Sequence, residues 1–334
     1  MTIRALYTIL FIGDNMNITN KLLYMLENCD ISLSGEQIAR ELNVSRNAVW
    51  KAVNSLRQEG FIIDAVTNKG YSISKNNTRF SKYGIEKHLK HNCDINIFET
   101  LPSTNITAKE LATNGANEGT IIIAREQTNG KGRLGRHFSS QYGGLYMSII
   151  LRPDTTASAT TLITAAAAVA VCRAVDKVCD VNTGIKWVND IFLNGKKICG
   201  ILTQGSVSLE NNCVDYAVLG IGLNINRPKG DFPEELRDIA ASIFDIPCNS
   251  DTQNRLIAEI LNEFFNIYKS LPSTAFMEEY RTRSIIIGTE VLCVDAQNEY
   301  PVTVDNIDDN AHLLVTTKDN KKLTLNSGEV RIKI

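Results

Sequence analysis

The chain of 334 residues has little proline and no surplus of one charge. Seven prolines are too few for a collagen-like, mucin-like or wholly disordered protein, and the hydrophobic share of 43% is that of a globular one. The formal net charge of -2 excludes a uniformly basic coat for nucleic acid, although it allows a basic patch on one domain. A chain of this length predicts two or three domains.

Cysteine and histidine do not occur in ligand-like patterns. The 8 cysteines form no CxxC pair, and the 4 histidines show no HExxH spacing. We therefore expect neither a disulfide scaffold nor a metal site of the protein's own. This cysteine usage favours a reducing, cytoplasmic compartment.

Long hydrophobic runs are also missing. The apolar run over 157–171 ends before Arg173 and Asp176, short of the roughly 20 residues that a membrane-spanning helix needs, and predicts a buried helix. Residues 1–16 contain a short apolar stretch without a clear small-residue cleavage site. We interpret them as an extension ahead of the first domain, with either Met1 or Met16 as the start, and we expect no membrane association.

The segment 17–76 has the order of elements of a winged helix-turn-helix. Apolar spacing predicts helices over 17–28, 35–42 and 45–59 and a hairpin over 61–73. The third helix carries Val49, Val53 and Leu56 on one face. Side-chain types that bind bases and phosphates occupy its N-cap, another face and the hairpin turn, namely Ser45, Arg46, Asn47, Lys51, Asn54 and Lys69. We predict DNA binding; the alternative is a helical module whose polar face is only solvated.

A linker around 75–78 precedes a second predicted domain over 79–286. Its pattern predicts strands at 95–99, 120–126, 144–151, 184–188, 197–204 and 216–226, and helices at 105–113 and 157–171. This mixture indicates a multidomain α+β protein whose central domain is a mixed α/β sheet with helices on one side.

A glycine-rich basic loop follows the strand that ends near Gln127. Its sequence is Gly130-Lys131-Gly132-Arg133-Leu134-Gly135-Arg136. Glycines let the backbone approach a ligand closely and the three cations neutralise phosphate, so the loop is expected to close over a phosphorylated intermediate. It matches neither a P-loop nor a dinucleotide fingerprint. The alternative is a basic surface loop without a ligand.

Lys186 gives a second signal. It lies in an apolar strand beside Trp187, where an ammonium group is costly to bury unless it meets an anion. It is therefore a candidate for the same ligand as the loop. The alternative is an ion pair with Asp190.

Two further segments are weaker signals. Ser103–Asn105 stand at the start of a helix, where free N–H groups bind anions or amide oxygens, although small polar residues there are usually caps. Gly220–Asn226 contains two glycines that permit close backbone approach, next to Asn224.

Taken in order, these motifs are those of a known family. They are Ser103-Thr104-Asn105, Gln127 with GKGRLGR, KWVND at 186–190, KKICGIL at 196–202 and GIGLNIN at 220–226. In this order and spacing the chain resembles the biotin protein ligases, and its N-terminal module makes it similar to the bifunctional biotin operon repressors. The resemblance extends from about Asn17 to the C-terminus.

The resemblance implies a two-step reaction. Biotin and MgATP give biotinyl-5'-AMP and pyrophosphate, and biotin then passes to a lysine of the biotin carboxyl carrier protein of acetyl-CoA carboxylase. It also implies repression of biotin synthesis genes at operator DNA, with a homodimer when the adenylate is bound. The alternatives are a biotin-sensing transcription factor without ligase activity and a lipoate-type ligase.

The same resemblance assigns residue roles. Lys186 and Arg133 are expected to be catalytic, because they place positive charge where the carboxylate attacks the α-phosphate. The residues expected to bind biotin are Ser103, Thr104, Asn105, Gln127, Lys131, Gly132, Arg133 and Lys186. The residues expected to contact ATP or the adenylate are Gly130, Leu134, Gly135, Arg136, Asn189 and Asn224. The last two are also expected to contact the nucleotide or the hydration shell of Mg²⁺.

Three positions depart from the family pattern. Lys131 and Leu134 stand where the family's loop often has arginine, which lowers the local positive charge. Val188 stands where many members have proline. None of these changes removes a residue that is assigned to the chemistry, so activity is still expected.

The last predicted domain, 287–334, consists of short β-runs. Strands are predicted at 290–294, 300–307, 312–317 and 321–325, with turns at Asn298, 308–310 and Asn320. A small SH3-like barrel fits this pattern. In the resembled family this domain assists ATP and carrier binding; the alternative is that it only covers one side of the central domain.

Overall fold

The computed structural model divides into two compact units. It describes residues 16–66, 69–153, 160–207, 214–294, 299–326 and 328–332. The first unit contains residues up to Leu89 together with Cys248–Ala258, and the second contains Lys90–Pro247 and the chain from Glu259 onward. The extension predicted over residues 1–16 lies outside the described residues except for Met16.

Three capped helices begin the first unit. They are α1 (Ile18–Glu27), α2 (Gly35–Glu41) and α3 (Arg46–Gln58). Side chains of Asn17 and Ser45 accept the N–H groups of Asn20 and Ala48, and Ser34 forms a reciprocal capping box with Gln37. These caps satisfy N–H groups that a helix start leaves without partners. The three predicted helices are therefore confirmed to within one residue at each end.

The core of this unit is made by one face of each helix. Its fully buried side chains include Leu22, Ile38, Val49, Val53 and Leu56. The hairpin β1 (Ile63–Val66) and β2 (Gly70–Ile73) follows, with Ile63 opposite Ile73. Part of the predicted turn, Asn68, lies outside the described residues. A short helix α4 (Lys82–Glu86), which the pattern did not predict, comes after the hairpin.

Gly70 is required by the way the hairpin is attached. Its φ is 103°, and a Cβ there would lie 2.1 Å from the carbonyl oxygen of Leu33. The next residue, Tyr71, exchanges two backbone hydrogen bonds with Leu33, of 2.8 and 2.9 Å. A side chain at position 70 would break this attachment, since both the backbone conformation and the space exclude it.

A seven-stranded sheet forms the centre of the second unit. Its order is β3-β4-β5-β9-β8-β7-β6, with β3 and β4 parallel and all other neighbours antiparallel. The strands are β3 (Asp94–Leu101), β4 (Thr120–Gln127), β5 (Leu145–Leu151), β6 (Gly184–Lys186), β7 (Asp190–Leu193), β8 (Lys196–Val207) and β9 (Val214–Leu223). The predicted mixed sheet is confirmed.

One predicted strand was wrong. The run 184–188 was expected to be continuous, but β6 ends at Lys186, a turn follows, and Asp190 begins β7. Trp187 and Val188 lie in this turn and are both apolar and buried, so the apolar pattern of the strand continues through the turn and conceals it. The reversal places Lys186 directly opposite Asp190.

Helices cover both faces of this sheet, which corrects the prediction of one side. The helix α5 (Thr104–Thr113) contacts Gln204 through Asn105, whereas α6 (Thr160–Cys179) contacts Thr203 through Thr164. Adjacent residues of a strand point to opposite faces.

Residues 163–171 of α6 are buried, as predicted for the apolar run, and 157–159 lie outside the described residues. Among the helices that the structure describes, none has the length and apolar character needed to cross a bilayer.

Two more helices and a second sheet follow in the chain, and the first of these helices contributes its residues up to Ala258 to the first unit. The helices α7 (Ser250–Tyr268) and α8 (Met277–Thr282) were not predicted. The C-terminal sheet is antiparallel with the order β13-β12-β11-β10-β14. Its strands are β10 (Glu290–Val294), β11 (Glu299–Ile307), β12 (Leu313–Thr317), β13 (Lys322–Leu325) and β14 (Glu329–Ile332). Between described residues no pairing joins β13 to β14, so the SH3-like barrel stays a prediction; Asn298 lies outside them.

Candidate functional site

A row of glycines crosses one face of the seven-stranded sheet. Tyr146 lies opposite Gly222, Gly222 opposite Gly200, and Gly200 opposite Asp190, so their side-chain positions share a face. Gly220 lies two residues from Gly222 on the same face. We call Gly200, Gly220 and Gly222 the glycine row. Because these residues have no side chains, other side chains can lie close to the strand backbone there.

The glycine row is occupied from above by two side chains. A Cβ at Gly222 would lie 2.5 Å from the ring of Phe138, and one at Gly200 would lie 3.0 Å from the same ring. A Cβ at Gly220 would lie 2.2 Å from Oδ1 of Asn105. The glycines are therefore required by close approach, which was the property that the sequence suggested for Gly220 and Gly222.

The start of α5 is held by a glutamine. Oε1 of Gln127 accepts from the backbone N–H of Thr104 at 2.7 Å and from its hydroxyl at 3.1 Å. Ser103 is the N-cap and is buried, yet among the described residues its side chain makes no capping bond. Gln127 thus supplies the acceptor that a cap would normally supply, and the hydroxyl of Ser103 is not used as a cap.

Three of the eight predicted biotin residues, Thr104, Asn105 and Gln127, belong to one polar chain of hydrogen bonds. Oγ of Ser148 lies 2.8 Å from Oγ1 of Thr104 and 2.7 Å from Oδ1 of Asn105. Asn105 donates to Oε1 of Gln204 at 3.2 Å, and at the other end Gln127 donates to Oγ of Ser140 at 2.8 Å. Polar networks of this kind fix side-chain positions when all members are satisfied.

Sequence reasoning missed three members of this chain, Ser140, Ser148 and Gln204. Ser148 is fully buried within the apolar strand β5. A polar residue at an inward position of a strand is costly unless it is hydrogen-bonded, and that was the available signal. Gln204 ends the predicted strand at 197–204 and gave no comparable signal before its pairing with Asn105 was known.

The glycine-rich loop folds back on itself. Gly132 N–H donates to the Arg136 carbonyl at 2.8 Å, and Phe138 N–H donates to the Gly130 carbonyl at 2.9 Å. A Cβ at Gly130 would lie 2.4 Å from the Phe138 carbonyl oxygen, so this glycine is needed for the closure. Within the loop, Arg133–Gly135 form one 3₁₀ turn.

Several loop side chains point outward. Leu134 has a φ of 54° and is 77% exposed, and Gly135 has a φ of 75°. Lys131 and Arg136 are exposed as well. The loop therefore presents cations at its surface while its backbone is closed by internal hydrogen bonds.

Arg133 is the loop residue that reaches other motifs. Its guanidinium donates to Oδ1 of Asn189 at 3.1 Å and to the Gly328 carbonyl, next to β14, at 2.9 Å. Asn189 is fixed in turn, because its amide donates to the Ile201 carbonyl at 2.8 Å. The structure thus brings together the loop, the turn after Lys186 and the C-terminal sheet.

Two lysines lie near the end of the glycine row. Lys186 faces Asp190 across the strands, and its Nζ lies 6.0 Å from the centre of the Phe192 ring. Asp190 forms an ion pair with Lys197, whose Nζ lies 2.7 Å from the carboxylate. The same Nζ would lie 3.3 Å from a Cβ at Gly200. Lys197 belongs to the KKICGIL motif but was given no role from the sequence, and the structure places it beside the glycine row.

Asn224 lies at the end of β9, beyond the glycine row. Its side-chain amide donates to the Ala241 carbonyl at 3.0 Å, and its backbone N–H donates to the Ile198 carbonyl at 2.8 Å. Asn224 thus holds a loop over the sheet.

Two cysteines of the second unit that the structure describes, Cys172 and Cys199, are buried. Burial raises the pKa of Cys199 and raises the pKa of Cys172 to about 12, so both are protonated at neutral pH. Burial also raises the pKa of Tyr146, whose hydroxyl donates to the Gln141 carbonyl at 2.7 Å. In the described ranges no group of three or more histidine, cysteine or carboxylate side chains is placed to hold a metal.

The predicted DNA-binding residues lie on the exposed side of the first unit. Ser45 caps α3, while Arg46, Asn47 and Lys51 are exposed and Asn54 is half-buried. Lys69, in the hairpin, is exposed too. Trp50 is 55% exposed in the middle of this face, and sequence reasoning had left it without a role.

Comparisons with known proteins agree with this arrangement. Residues 97–224 match the Biotin/lipoate A/B protein ligase family, and residues 19–72 match a helix-turn-helix domain family. The bifunctional ligase/repressor BirA of Bacillus subtilis is 37% identical over 297 residues, which cover 87% of this chain and 91% of that protein. The biotin–[acetyl-CoA-carboxylase] ligase of Mycobacterium tuberculosis is 31% identical over 199 residues, covering 57% and 70% respectively.

A solved structure extends the comparison to the fold. The biotin protein ligase of Aquifex aeolicus in complex with biotin and ATP has a TM-score of 0.59 and 22% identity, covering 72% of this chain and 99% of that one. At this identity the likeness concerns the fold alone. The sequence relationship carries the assignment: the chain belongs to the family of bifunctional biotin protein ligase/repressors.

Proposed function

We propose that this protein is an ATP-dependent biotin protein ligase and a DNA-binding repressor of biotin synthesis genes. It forms biotinyl-5'-AMP and transfers biotin to a lysine of the biotin carboxyl carrier protein of acetyl-CoA carboxylase. The observation that carries the ligase part is the hydrogen bond of 3.1 Å between Arg133 and Asn189. It joins the cationic loop to the turn that follows Lys186, between β6 and β7.

The first step needs positive charge more than a nucleophilic side chain. A biotin carboxylate oxygen attacks the α-phosphorus of ATP, the bond to the bridging oxygen breaks, and pyrophosphate leaves. Two anions approach each other, so fixed cations at the phosphate lower the barrier. Arg133 and Lys186 are the proposed catalytic residues, and the position of Lys197 beside Gly200 supports adding it to them.

The buried polar chain supplies the proposed biotin site. Ser103, Thr104, Asn105 and Gln127 hold the ring system and its ureido group, which matches polar donors and acceptors inside an otherwise apolar sheet face. Support comes from the hydrogen bonds that link Thr104, Asn105 and Gln127 and fix their positions. A fixed site binds at lower entropic cost than one that must be ordered.

The loop is the proposed cover of the reaction. Lys131, Gly132 and Arg133 close over biotin and the adenylate and exclude water, which protects the mixed anhydride from hydrolysis. The remaining proposed contacts to ATP or the adenylate are Gly130, Leu134, Gly135, Arg136, Asn189 and Asn224. Magnesium is proposed to arrive with the ATP phosphates, because the described residues offer no metal-holding group of their own.

The second step transfers the acyl group. The amine of the carrier lysine attacks the biotinyl carbonyl carbon, AMP leaves, and the amine gives up a proton. Residues of the ligase need only orient the two reactants, which supplies much of the rate gain in such reactions.

The repressor part rests on α3 and the hairpin. Ser45, Arg46, Asn47, Lys51 and Asn54 are proposed to contact operator DNA in the major groove, and Lys69 the backbone. An adenylate-bound homodimer would pair two such modules on a two-fold operator. Sedimentation velocity with and without biotin and ATP tests it: an unchanged monomer at micromolar concentration contradicts ligand-driven repression.

The proposed organisation is an extension over 1–16, a winged helix-turn-helix over 17–76, a ligase domain over 79–286 and an SH3-like domain over 287–334. The hydrogen bond from Arg133 to the Gly328 carbonyl, just before β14, favours a part for this domain in nucleotide binding. A cytoplasmic location is also proposed, because the reaction consumes ATP and modifies a metabolic enzyme.

A transfer assay tests the ligase proposal directly. Protein, biotin, MgATP and a carrier domain are mixed, and biotin on the carrier is measured. Wild-type protein should transfer biotin, and Lys186→Gln and Lys197→Gln should each slow adenylate formation about 100-fold. Exposed Lys322→Gln, on β13, is the matched control and should leave the rate unchanged.

The alternatives give different outcomes in the same assay. A protein that transfers lipoate but not biotin is a lipoate-type ligase, which the family match over residues 97–224 also covers by name. A protein that binds biotin without forming the adenylate is a sensor without ligase activity. Either result would overturn the ligase proposal.

A further inference from the structure

The recognition helix carries a large aromatic side chain on its outer face. Trp50 lies on α3 and is 55% exposed, whereas Trp187, the second of 2 tryptophans in the chain, is 3% exposed and donates to the Ala311 carbonyl. Exposed apolar residues that occur singly are common and need no special cause. The position of Trp50 among its neighbours is what distinguishes it.

Trp50 lies between the residues that are proposed to contact DNA. It follows Arg46 by four positions and Asn47 by three, and it precedes Asn54 by four. Residues three or four apart are neighbours on a helix surface. The buried face of the same helix is formed by Val49, Ala52, Val53 and Leu56, so Trp50 lies on the side that faces away from the core.

Charge on this helix selects the kind of partner. The sequence from Arg46 to Gln58 contains Lys51 and Arg57 besides Arg46, and it contains no aspartate or glutamate. A surface with cations only is matched to a polyanion, and phosphates supply most of the affinity of proteins for DNA. The flat indole ring at its centre has one N–H donor, but its faces are apolar and pack best against apolar groups.

We infer that Trp50 packs against the methyl group of a thymine in the major groove and thereby contributes to sequence discrimination. The thymine C5-methyl is the apolar group that the major groove offers, and apolar side chains are known to contact it. This inference rests on the proposed operator binding. It goes beyond it by naming a residue outside the polar set and the base that this residue reads.

The test removes the methyl group and the indole separately. The wild-type protein, with biotin and MgATP, selects a duplex from a randomised library. Each thymine of that duplex is then replaced in turn by deoxyuridine, which lacks only the methyl group. Affinities of wild-type, Trp50→Ala and Trp50→Phe proteins are measured for every duplex at one salt concentration, because these affinities depend strongly on salt.

At one thymine per half-site, deoxyuridine should weaken wild-type binding about threefold, and Trp50→Ala should weaken binding to the unmodified duplex about tenfold. The two losses should not add in Trp50→Ala, whose affinity should be insensitive to that methyl group. Trp50→Phe should keep part of the sensitivity. Ile31→Ala removes another apolar side chain of the first unit, 61% exposed, and should change nothing.

Two results separate this inference from the function on which it rests. If wild-type protein selects no duplex, the repressor proposal itself fails. If it selects one, but every deoxyuridine is tolerated or Trp50→Ala loses the same factor with and without the methyl group, the inference about Trp50 is wrong. Thermal unfolding and biotin transfer by Trp50→Ala should match the wild type, which shows that any loss of DNA affinity is local.

Discussion

The helix that is proposed to bind DNA and the proposed ligase face obtain their candidate functional residues in different ways. On α3, one stretch of chain carries both the core residues Val49, Val53 and Leu56 and the exposed residues Arg46 and Lys51. On the ligase face, the functional groups come from segments that are far apart in sequence and meet only where strands pair. The periodicity of one helix is visible in a sequence, whereas the pairing of strands is not.

This difference also affects what a substitution does. A side chain on the outer face of α3 has solvent around it, so its removal changes contacts with a partner and little else. A member of the buried polar chain contacts two other members, and Ser148 is an example because it lies within 2.8 Å of both Thr104 and Asn105. Removing one member leaves others without partners.

The largest effect is expected on the ligase side, at Arg133. Arg133→Ala removes a positive charge and both hydrogen bonds, to Asn189 and to Gly328. We expect adenylate formation to fall about 1000-fold, because a group that stabilises developing charge contributes at this level. Pyrophosphate release measures it.

Arg133→Lys serves as the control for charge. It keeps the charge but cannot bridge the two acceptors, and we expect it to restore only a small part of the rate. Operator binding should stay unchanged in both variants. A wild-type rate in Arg133→Ala would contradict the role of the loop.

Matched glycine substitutions compare the two regions directly. Gly222→Ala places a methyl group 2.5 Å from the Phe138 ring and should reduce biotin affinity about 100-fold by displacing that ring from the glycine row. Gly35→Ala, at the first position of α2, meets only Tyr71 at 3.6 Å and should be neutral or slightly stabilising. Titration calorimetry with biotin and thermal unfolding measure the two outcomes. If Gly222→Ala, like Gly35→Ala, left both biotin affinity and thermal unfolding unchanged, the close packing of the glycine row would not be needed.

Acidification should change the stability contributions of Glu27, in the first unit, and Glu279, in the second unit, in opposite directions. Burial raises the pKa of Glu27, in the first unit, although its bond to Ser81 opposes the shift. Burial also favours a higher pKa for Glu279, in the second unit, but Arg173 and Arg283 outweigh it and hold that pKa below its usual 4.5. Glu279 therefore contributes to the free energy of unfolding above pH 4.5, and this contribution is lost as the pH falls through its lowered pKa. Glu27 contributes to the free energy of unfolding below pH 4.5, and this contribution is lost as the pH rises through its raised pKa.

Glutamine variants measure these signs. Glu279→Gln should lower the free energy of unfolding by about 2 kcal/mol at neutral pH, because charged hydrogen bonds to two arginines are lost, and this difference should shrink below pH 4.5. Glu27→Gln should be neutral or stabilising at neutral pH. Urea unfolding over a pH series gives both curves, and parallel curves would contradict the opposite shifts.

The smallest effect is expected at a helix cap of the first unit. Ser45→Ala removes the acceptor of the Ala48 N–H group, at 3.2 Å, and should cost about 1 kcal/mol of local stability. Amide exchange in the first turn of α3 should rise accordingly, and operator affinity should fall modestly. Ser55→Ala, within the same helix and not a cap, is the control and should change neither quantity.

Much of the site was predictable as a set of motifs but not as a geometry. Ser103–Asn105 were found as small polar residues at a helix start and the loop by its glycines and cations, whereas Gln127 was assigned through the family resemblance. Lys186 was also found, but the strand around it was predicted to run on to Val188, and the turn that ends it was hidden by two buried side chains. Lys197 received no role, because its place beside Gly200 depends on how β8 pairs with β7 and β9.

The sequence by itself determined the helices α1, α2 and α3, the caps of α2 and α3, the polar face of α3 and the order of motifs that defines the family. These are local properties, set by side-chain spacing along a few turns of chain. Only the tertiary structure decided that Gln127 takes the place of a cap at Thr104, that Phe138 lies on the glycine row and that Arg133 reaches Asn189. Such contacts join residues across a sheet, and their energies depend on register and close packing, which a linear pattern does not specify.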